Sequence, residues 1–167
     1  AMPIPGVLAG HIDTRRLGVL GHSLGGGTAA EVCRSDARVV ACADLDGKIY
    51  GPASASGLGQ PFLLVESDGR ADTFDEFAGR LRGPSCRVRG ARVSHLDLCD
   101  VPLLLPIVTY LLPQPSLRNA GGADSLGAMN ELLGAFFDAT VRGDAASWSR
   151  VRSPPAPFSA VCERLPR

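Results

Sequence analysis

Residues 17–33 read L-G-V-L-G-H-S-L-G-G-G-T-A-A-E-V-C and contain the most informative pattern of the chain. Its apolar start, Leu17–Leu20, predicts a short strand, and its small residues after the serine predict a helix. Gly21 and Gly25 flank Ser23 at two-residue spacing. A turn this tight forces the serine into strained backbone angles, and we expect side chains at both flanking positions to collide with the strand and the helix.

Such a strand–turn–helix unit exposes the Ser23 hydroxyl at its tip, as in the nucleophile elbow of hydrolases. The backbone N–H of Leu24, at the start of the helix, is a candidate oxyanion donor. The alternatives are a glycine-rich turn without chemistry and a phosphate-binding loop. A phosphate loop of the G-x-x-x-x-G-K type needs a lysine, and the sole lysine of the chain is Lys48. The pattern therefore favours the elbow.

Composition limits the class of protein. The chain has 167 residues and is 45% hydrophobic, which suffices for one domain with a core and excludes global disorder. The formal net charge is zero, so nothing favours nucleic acid or an acidic membrane surface as a partner. No signal peptide is visible at the N-terminus, and a cytoplasmic and a secreted location are both compatible with the sequence.

The cysteines indicate no metal site and no cross-linking. There are five of them, an odd number, and none forms a C-x-x-C pair. We therefore predict neither a zinc site nor a disulfide framework. Cys33 and Cys42 lie in apolar segments and are expected to be buried thiols.

Three further strands are predicted after the elbow, at Val39–Ala43, Phe62–Val65 and Cys86–Arg89. The consecutive apolar residues of the first two suit strands that are buried on both faces, as in a parallel sheet. Residues 48–60 are rich in Gly, Ala and Ser and are interpreted as a loop. The pattern predicts an α/β fold with a parallel sheet, helices on its faces and right-handed crossovers.

Two helices and a tail complete the prediction. Asp72–Leu81 is expected to be a short helix, and Ser125–Val141 is predicted to be an amphipathic one. The apolar segment Val101–Leu112 has twelve residues and two prolines, too short for the roughly twenty residues that span a bilayer. It is expected to pack on the core, with a lipid-facing patch as the alternative. The proline-rich residues 153–167 are expected to be an irregular tail.

A serine nucleophile needs a base, and the chain offers three histidines. His11 precedes the first strand and should lie at the opposite end of the sheet. His22 lies inside the elbow, is expected to point away from the serine, and is interpreted as a packing or hydrogen-bonding residue. His95 follows the last predicted parallel strand in a loop, so it is the candidate base.

Three aspartates are candidates for the acid that would orient this base. Asp44 and Asp46 follow the second strand, and Asp68 follows the third. All three lie where the carboxyl ends of parallel strands meet. The residues alone leave Asp46 and Asp68 equally good candidates.

The sequence resembles the platelet-activating factor acetylhydrolases of the plasma and isoform II type, with their bacterial esterase and lipase relatives in the α/β-hydrolase superfamily. The segments that carry the resemblance are G-H-S-L-G-G-G-T-A at 21–29, A-D-L-D-G at 43–47, P-F-L-L-V at 61–65 and S-H-L-D-L-C-D-V-P-L-L at 94–104. The resemblance implies Asp46 as the acid and His95 as the base, with Asp97 and Asp100 ordering the loop. It also implies short-acyl or phospholipid-type ester substrates. The expected serine, histidine and aspartate chemistry needs no metal or organic cofactor.

The similarity extends from about Leu8 to the proline-rich tail and corresponds to the C-terminal part of that family's fold. It implies that the early strands and a second oxyanion donor would come from an N-terminal half of the same fold. We expect a serine hydrolase that cleaves carboxylic esters through an acyl-enzyme. The alternatives are a cutinase-like or dienelactone-type hydrolase with Asp68 as the acid, and a non-catalytic hydrolase fragment.

Overall fold

Five strands form one sheet, with helices on both of its faces, in the computed structural model of the chain. The structure describes residues 6, 10–69, 74–101, 103–104 and 122–165. The strands are β1 (Leu17–His22), β2 (Val39–Leu45), β3 (Phe62–Glu66), β4 (Ser85–Gly90) and β5 (Phe158–Glu163). The helices are α1 (Leu24–Ser35), α2 (Gly51–Ser56), α3 (Asp75–Ala78), α4 (Gly122–Phe137) and α5 (Trp148–Arg152).

The strands lie in the order β1-β2-β3-β4-β5. The first four pair in parallel, and β5 pairs antiparallel with β4. The predicted parallel sheet is therefore confirmed for β1 to β4, and the whole sheet is mixed. Because parallel strands all point the same way, the residues that follow β1, β2, β3 and β4 meet at one end of the sheet.

Helices cover both faces of β2 and β3, which explains their apolar runs. Leu63 and Val65 face a core formed with α4 and α5, whereas Phe62 and Leu64 face a core formed with α1, α2 and α3. All four side chains are at most 1% exposed. Strands buried on both faces cannot alternate between apolar and polar residues, so a continuous apolar run is the expected sequence.

The prediction of a loop over residues 48–60 is wrong in part, because α2 occupies Gly51–Ser56. Pro52 stands in its first turn, where its missing N–H costs nothing. Ala53 is fully buried, and its N–H donates to the Glu31 carboxylate at 3.0 Å. Burial against α1 thus overrides the weak helix propensity of a Gly- and Ser-rich segment.

The helix predictions hold with changed bounds. Phe74, Phe77 and Leu81 are buried around the short α3, as their spacing indicated, while residues 72 and 73 lie outside the described residues. The predicted helix Ser125–Val141 is found as α4, followed by a π-helical turn, Asp138–Arg142. Its buried face points into the core beside β2 and β3.

The irregular tail predicted over 153–167 is wrong for Phe158–Glu163, which forms β5. Every residue of this strand is in register with one of β4, from Phe158 opposite Gly90 to Glu163 opposite Ser85. Side chains along β5 alternate between more and less exposed positions, the pattern of a strand with one covered face.

The prediction that no disulfides form is also wrong. Cys33 on α1 bonds to Cys42 on β2, and Cys86 on β4 bonds to Cys162 on β5. Cys99 is the free thiol that accounts for the odd number. The pairings follow from which elements pack together, and the spacing of cysteines along the chain does not show that.

The apolar segment Val101–Leu112 falls mostly outside the described residues. Leu103 and Leu104, which are described, are 56% and 52% exposed. None of the helices in the described part of the chain combines the length and the hydropathy of a bilayer-spanning helix.

Candidate active site

Ser23 lies in the turn between β1 and α1 with a backbone φ of 58° and ψ of −124°. A positive φ is uncommon for a residue with a side chain and costs about 1–3 kcal/mol. A Cβ at Gly21 would lie 2.1 Å from the Gly25 carbonyl oxygen, so Gly21 must lack a side chain. A Cβ at Gly25 would meet nothing within 4 Å, so the steric reason expected for Gly25 is wrong.

His95 lies within hydrogen-bond distance of this serine. It opens a 3-10 turn, His95–Leu98, in the connection after β4. The Ser23 Oγ is 3.0 Å from the His95 Nε2. The histidine expected to be the base thus contacts the serine expected to be the nucleophile.

Asp46 lies on the other side of the same imidazole. It follows β2 directly, has a φ of 56° and is 1% exposed. Its Oδ2 accepts a hydrogen bond from the His95 Nδ1 at 2.7 Å. Because a carboxylate only accepts, the proton is on Nδ1, and Nε2 is left to accept from the Ser23 hydroxyl.

Ser67, the residue after β3, binds the same carboxylate and was missed by the sequence reasoning. Its backbone N–H donates to the Asp46 Oδ1 at 3.0 Å, and its hydroxyl donates to the Oδ2 at 2.7 Å. The signal that could have found it is its place at the carboxyl end of a strand, one residue before Asp68. Together with His95, these donors hold a buried charge that would otherwise be costly.

Asp44 supports the turn that carries Asp46. It is fully buried on β2, and its Oδ1 accepts the Gly47 N–H at 2.8 Å. A Cβ at Gly26 would lie 1.6 Å from the same oxygen. The close packing of α1 on this turn therefore depends on a glycine in the helix.

Asp68, the other candidate acid, lies elsewhere. Its side chain is exposed, and its Oδ2 accepts the Arg92 N–H at 3.2 Å. Its backbone N–H donates to the Val93 carbonyl at 2.8 Å. These bonds tie the end of β3 to the loop before His95, and they leave Asp46 as the carboxylate against the imidazole.

Leu24, the candidate oxyanion donor, is the first residue of α1. Its N–H belongs to the helix end where backbone donors lack intrahelical partners and where the helix dipole favours negative charge. Leu24 follows Ser23 directly in the chain.

His22 does not point away from the site as expected, although it is a hydrogen-bonding residue. Its Nε2–H donates to the backbone carbonyl of His95 at 2.8 Å. The centres of the two rings are 4.5 Å apart. Burial lowers the pKa of His22 below its ordinary value of 6.5, although the hydrogen bond to the His95 carbonyl acts in the opposite direction.

The turn that bears His95 is closed by Asp97 and Ser94. The buried carboxylate of Asp97 accepts the Ser94 N–H at 2.7 Å, and Ser94 accepts in return from the backbone of Asp97. His11 is exposed in the turn before β1, at the opposite end of that strand from Ser23. Among the described residues, no group of three or more His, Cys, Asp or Glu side chains could hold a metal ion.

One of three comparisons with known proteins, the comparison with solved structures, supports the fold. No family model matches the chain, and no curated protein matches it. Among solved structures, the chain is similar to the ferulic acid esterase from Streptomyces cinnamoneus, with a TM-score of 0.70 and 29% identity. The match covers 79% of this chain and 42% of that enzyme, so the chain spans less than half of its length. The mixed sheet with its flanking helices is an α/β-hydrolase-like fold.

Proposed function

We propose that the protein is a serine hydrolase that cleaves carboxylic esters. The observation that carries the proposal is the continuous hydrogen-bonded chain from Ser23 through His95 to Asp46, with distances of 3.0 and 2.7 Å. A serine, a histidine in the correct tautomer and a buried carboxylate are the parts that acyl transfer needs. The similarity to a ferulic acid esterase supports ester hydrolysis as the general reaction.

In the proposed reaction, the Ser23 oxygen attacks the ester carbonyl carbon while the His95 Nε2 takes its proton. Asp46 stabilises the imidazolium, and the Leu24 N–H donates to the oxyanion. Collapse of the tetrahedral intermediate breaks the bond to the alcohol, which leaves with the proton from His95. Water, deprotonated by His95, then attacks the acyl-enzyme and releases the acid and free Ser23.

Asp46 is the proposed acid, and the geometry around the two candidates supports that choice. Its carboxylate is buried and lies 2.7 Å from the imidazole nitrogen. Asp68 is exposed and binds the Arg92 backbone instead. The alternative with Asp68 as the acid would require its carboxylate to leave the Arg92 N–H and to replace Asp46 at the His95 Nδ1.

A second oxyanion donor is proposed to come from a further part of the same fold. In the described residues, β1 pairs with β2 along one side, and its Leu20 is 49% exposed. A further strand beside β1 would cover this edge and bring a loop towards Ser23. Loss of one oxyanion donor typically costs about 10²–10³ in turnover, so this part would have a large effect on rate.

The proposed substrates carry an apolar acyl group. Leu24 adjoins Ser23 and is 74% exposed, and Leu96 adjoins His95 and is 37% exposed. Apolar side chains beside both reacting residues favour an ester with an apolar acyl chain, because the chain and these side chains would be removed from water when the ester binds. This supports short-acyl or phospholipid-type esters, as the resemblance to the acetylhydrolases implies, and disfavours charged acids.

The test is hydrolysis of nitrophenyl acetate, nitrophenyl butyrate, a feruloyl ester and a short-chain phospholipid by the purified chain and by its Ser23→Ala variant. Ser35→Ala, which removes an exposed hydroxyl from the end of α1, is the matched control. We expect turnover that Ser23→Ala abolishes and Ser35→Ala retains. Turnover that survives Ser23→Ala would overturn the proposal, and a folded chain without turnover would favour a non-catalytic fragment.

A further inference from the structure

We propose that His22 is a positioning residue that sets the distance between Ser23 and His95 by anchoring the His95 backbone to the end of β1. This inference rests on the proposed function, because it assigns His22 a role in the same hydrogen-bonded site. It goes further in naming a second histidine, next to the nucleophile, on which the rate would depend.

The first support is the identity of the groups that His22 joins. Its side chain belongs to the last residue of β1, directly before Ser23. Its Nε2–H donates to the carbonyl of His95 itself at 2.8 Å. One hydrogen bond therefore connects the side chain of the residue before the nucleophile with the backbone of the base.

The second support is that, among the described residues, the other hydrogen bonds that tie this turn to the sheet reach the ends of β2 and β3, whereas the bond from His22 reaches β1. Asp46 binds the His95 Nδ1, which orients the ring about its own bonds. The Asp97 carboxylate binds the Ser94 N–H, which closes the turn on itself. The bond from the Asp68 N–H to the Val93 carbonyl ties the loop to β3, on the far side of β2 from the elbow. The bond from His22 ties it to β1.

The third support is the proximity of the two rings. Their centres are 4.5 Å apart, and His22 is half-buried between the elbow and the base. Burial is the main cause that lowers the pKa of His22, and it outweighs the hydrogen bond to the His95 carbonyl, which raises that pKa. A neutral His22 with its proton on Nε2 can donate to the carbonyl without placing a second positive charge beside the imidazolium that forms in the reaction.

The size of the expected loss in kcat follows from the dependence of proton transfer on the distance between donor and acceptor. The Ser23 Oγ and the His95 Nε2 are 3.0 Å apart, within the range in which a proton passes directly. A misplacement of about 1 Å can cost on the order of 10²-fold in rate. Removing the His22 donor should therefore lower kcat by about 10- to 100-fold while KM changes little.

The test compares two replacements that differ in the donor. His22→Gln keeps an N–H near the position of Nε2, whereas His22→Phe keeps an aromatic ring and removes the donor. His11→Phe, at the exposed histidine before β1, controls for the change of His to Phe. We expect His22→Phe to lower kcat with KM and melting temperature nearly unchanged, His22→Gln to restore most of kcat, and His11→Phe to behave as wild type.

Equal kcat values for wild type, His22→Phe and His22→Gln would overturn the inference. Equal losses in both His22 variants would also overturn it, since the donor would then be irrelevant. Turnover that survives Ser23→Ala is a separate result, because it would contradict the proposed function instead.

A second readout covers a chain whose turnover is too slow to measure. The His95 Nδ1 proton, bound to Asp46, should give a strongly downfield proton resonance, identified by its loss in Asp46→Asn. We expect His22→Phe to shift or broaden this resonance and His22→Gln to preserve it. An unchanged resonance in His22→Phe would contradict the inference whether or not the chain hydrolyses esters.

Discussion

The Ser67 side chain and its backbone both donate to the Asp46 carboxylate, with the hydroxyl 2.7 Å from Oδ2 and the N–H 3.0 Å from Oδ1. The Oδ2 also accepts from His95, so one carboxylate oxygen holds two donors. The end of β3 thereby fixes the residue that follows β2. The proposed acid is held by a neighbouring strand as well as by its own turn.

Ser67→Ala should therefore weaken catalysis without unfolding the protein. The variant keeps the backbone donor and loses the hydroxyl, a hydrogen bond to a charged group worth about 1.5–3 kcal/mol. We expect kcat to fall by about 3- to 30-fold, since part of that energy holds Asp46 against His95. Steady-state kinetics would measure this fall in kcat, with Ser159→Ala, at an exposed serine of β5, as the control. Unchanged kcat would mean that Ser67 is dispensable for the orientation of Asp46.

The choice of acid gives a second prediction. Asp46→Asn should lower kcat by on the order of 10³–10⁴, because an amide can force the wrong tautomer on His95. Asp68→Asn should lower kcat less than about 3-fold, because within the described part of the chain its carboxylate accepts from the Arg92 backbone and does not contact His95. The two variants are matched in chemistry and both lie after a strand. A larger loss in Asp68→Asn would support the cutinase-like alternative.

The glycines of the elbow give a third prediction. Gly21→Ala places a Cβ 2.1 Å from the Gly25 carbonyl oxygen, so we expect a loss of several °C in melting temperature or failure to fold. Gly25→Ala meets nothing within 4 Å and lies in the first turn of α1, where alanine is the better helix former by about 1 kcal/mol. Its melting temperature should be equal or higher. Thermal unfolding would measure the melting temperatures of both variants. Equal destabilisation by the two substitutions would contradict the geometry of the turn.

The disulfides give a fourth prediction. Alkylation of the unfolded chain should modify one thiol, Cys99, without reductant and all five cysteines after reduction, as intact mass would show. The bonds close loops of very different length, with sequence separations of 9 and 76 residues. Chain entropy then predicts stabilisation by about 2.5 and about 4.5 kcal/mol respectively. Five modified thiols without reductant would exclude both bonds.

Much of the fold could be predicted because the apolar pattern depends on burial alone. Phe62–Val65 has no polar residue, and β3 is indeed buried on both faces. The strand β5 could not be predicted, since the residues around Phe158 carry only a short alternation beside several prolines. The disulfide between Cys86 and Cys162 was missed for the same reason, because it depends on where β5 pairs.

The candidate site was predictable to the level of its segments but not of its contacts. Ser23 and His95 stand out because the elbow spacing and the chain order restrict them. Asp46 and Asp68 both follow strands, and only the positions of the two turns in space separate them. Ser67 and His22 act through hydrogen bonds to residues 21 and 73 positions away, which no local pattern reveals.

Labelling with a fluorophosphonate, followed by reduction, digestion with trypsin and mass spectrometry, tests most directly whether Ser23 is the nucleophile. Cleavage after Arg16 and Arg34 releases the peptide Leu17–Arg34, whose single serine is Ser23. We predict a phosphonylated Leu17–Arg34 peptide in the wild type, none in Ser23→Ala, and much slower labelling in His95→Gln. Labelling that persists in Ser23→Ala, or that occurs on another peptide, would contradict the assignment of Ser23 as the nucleophile.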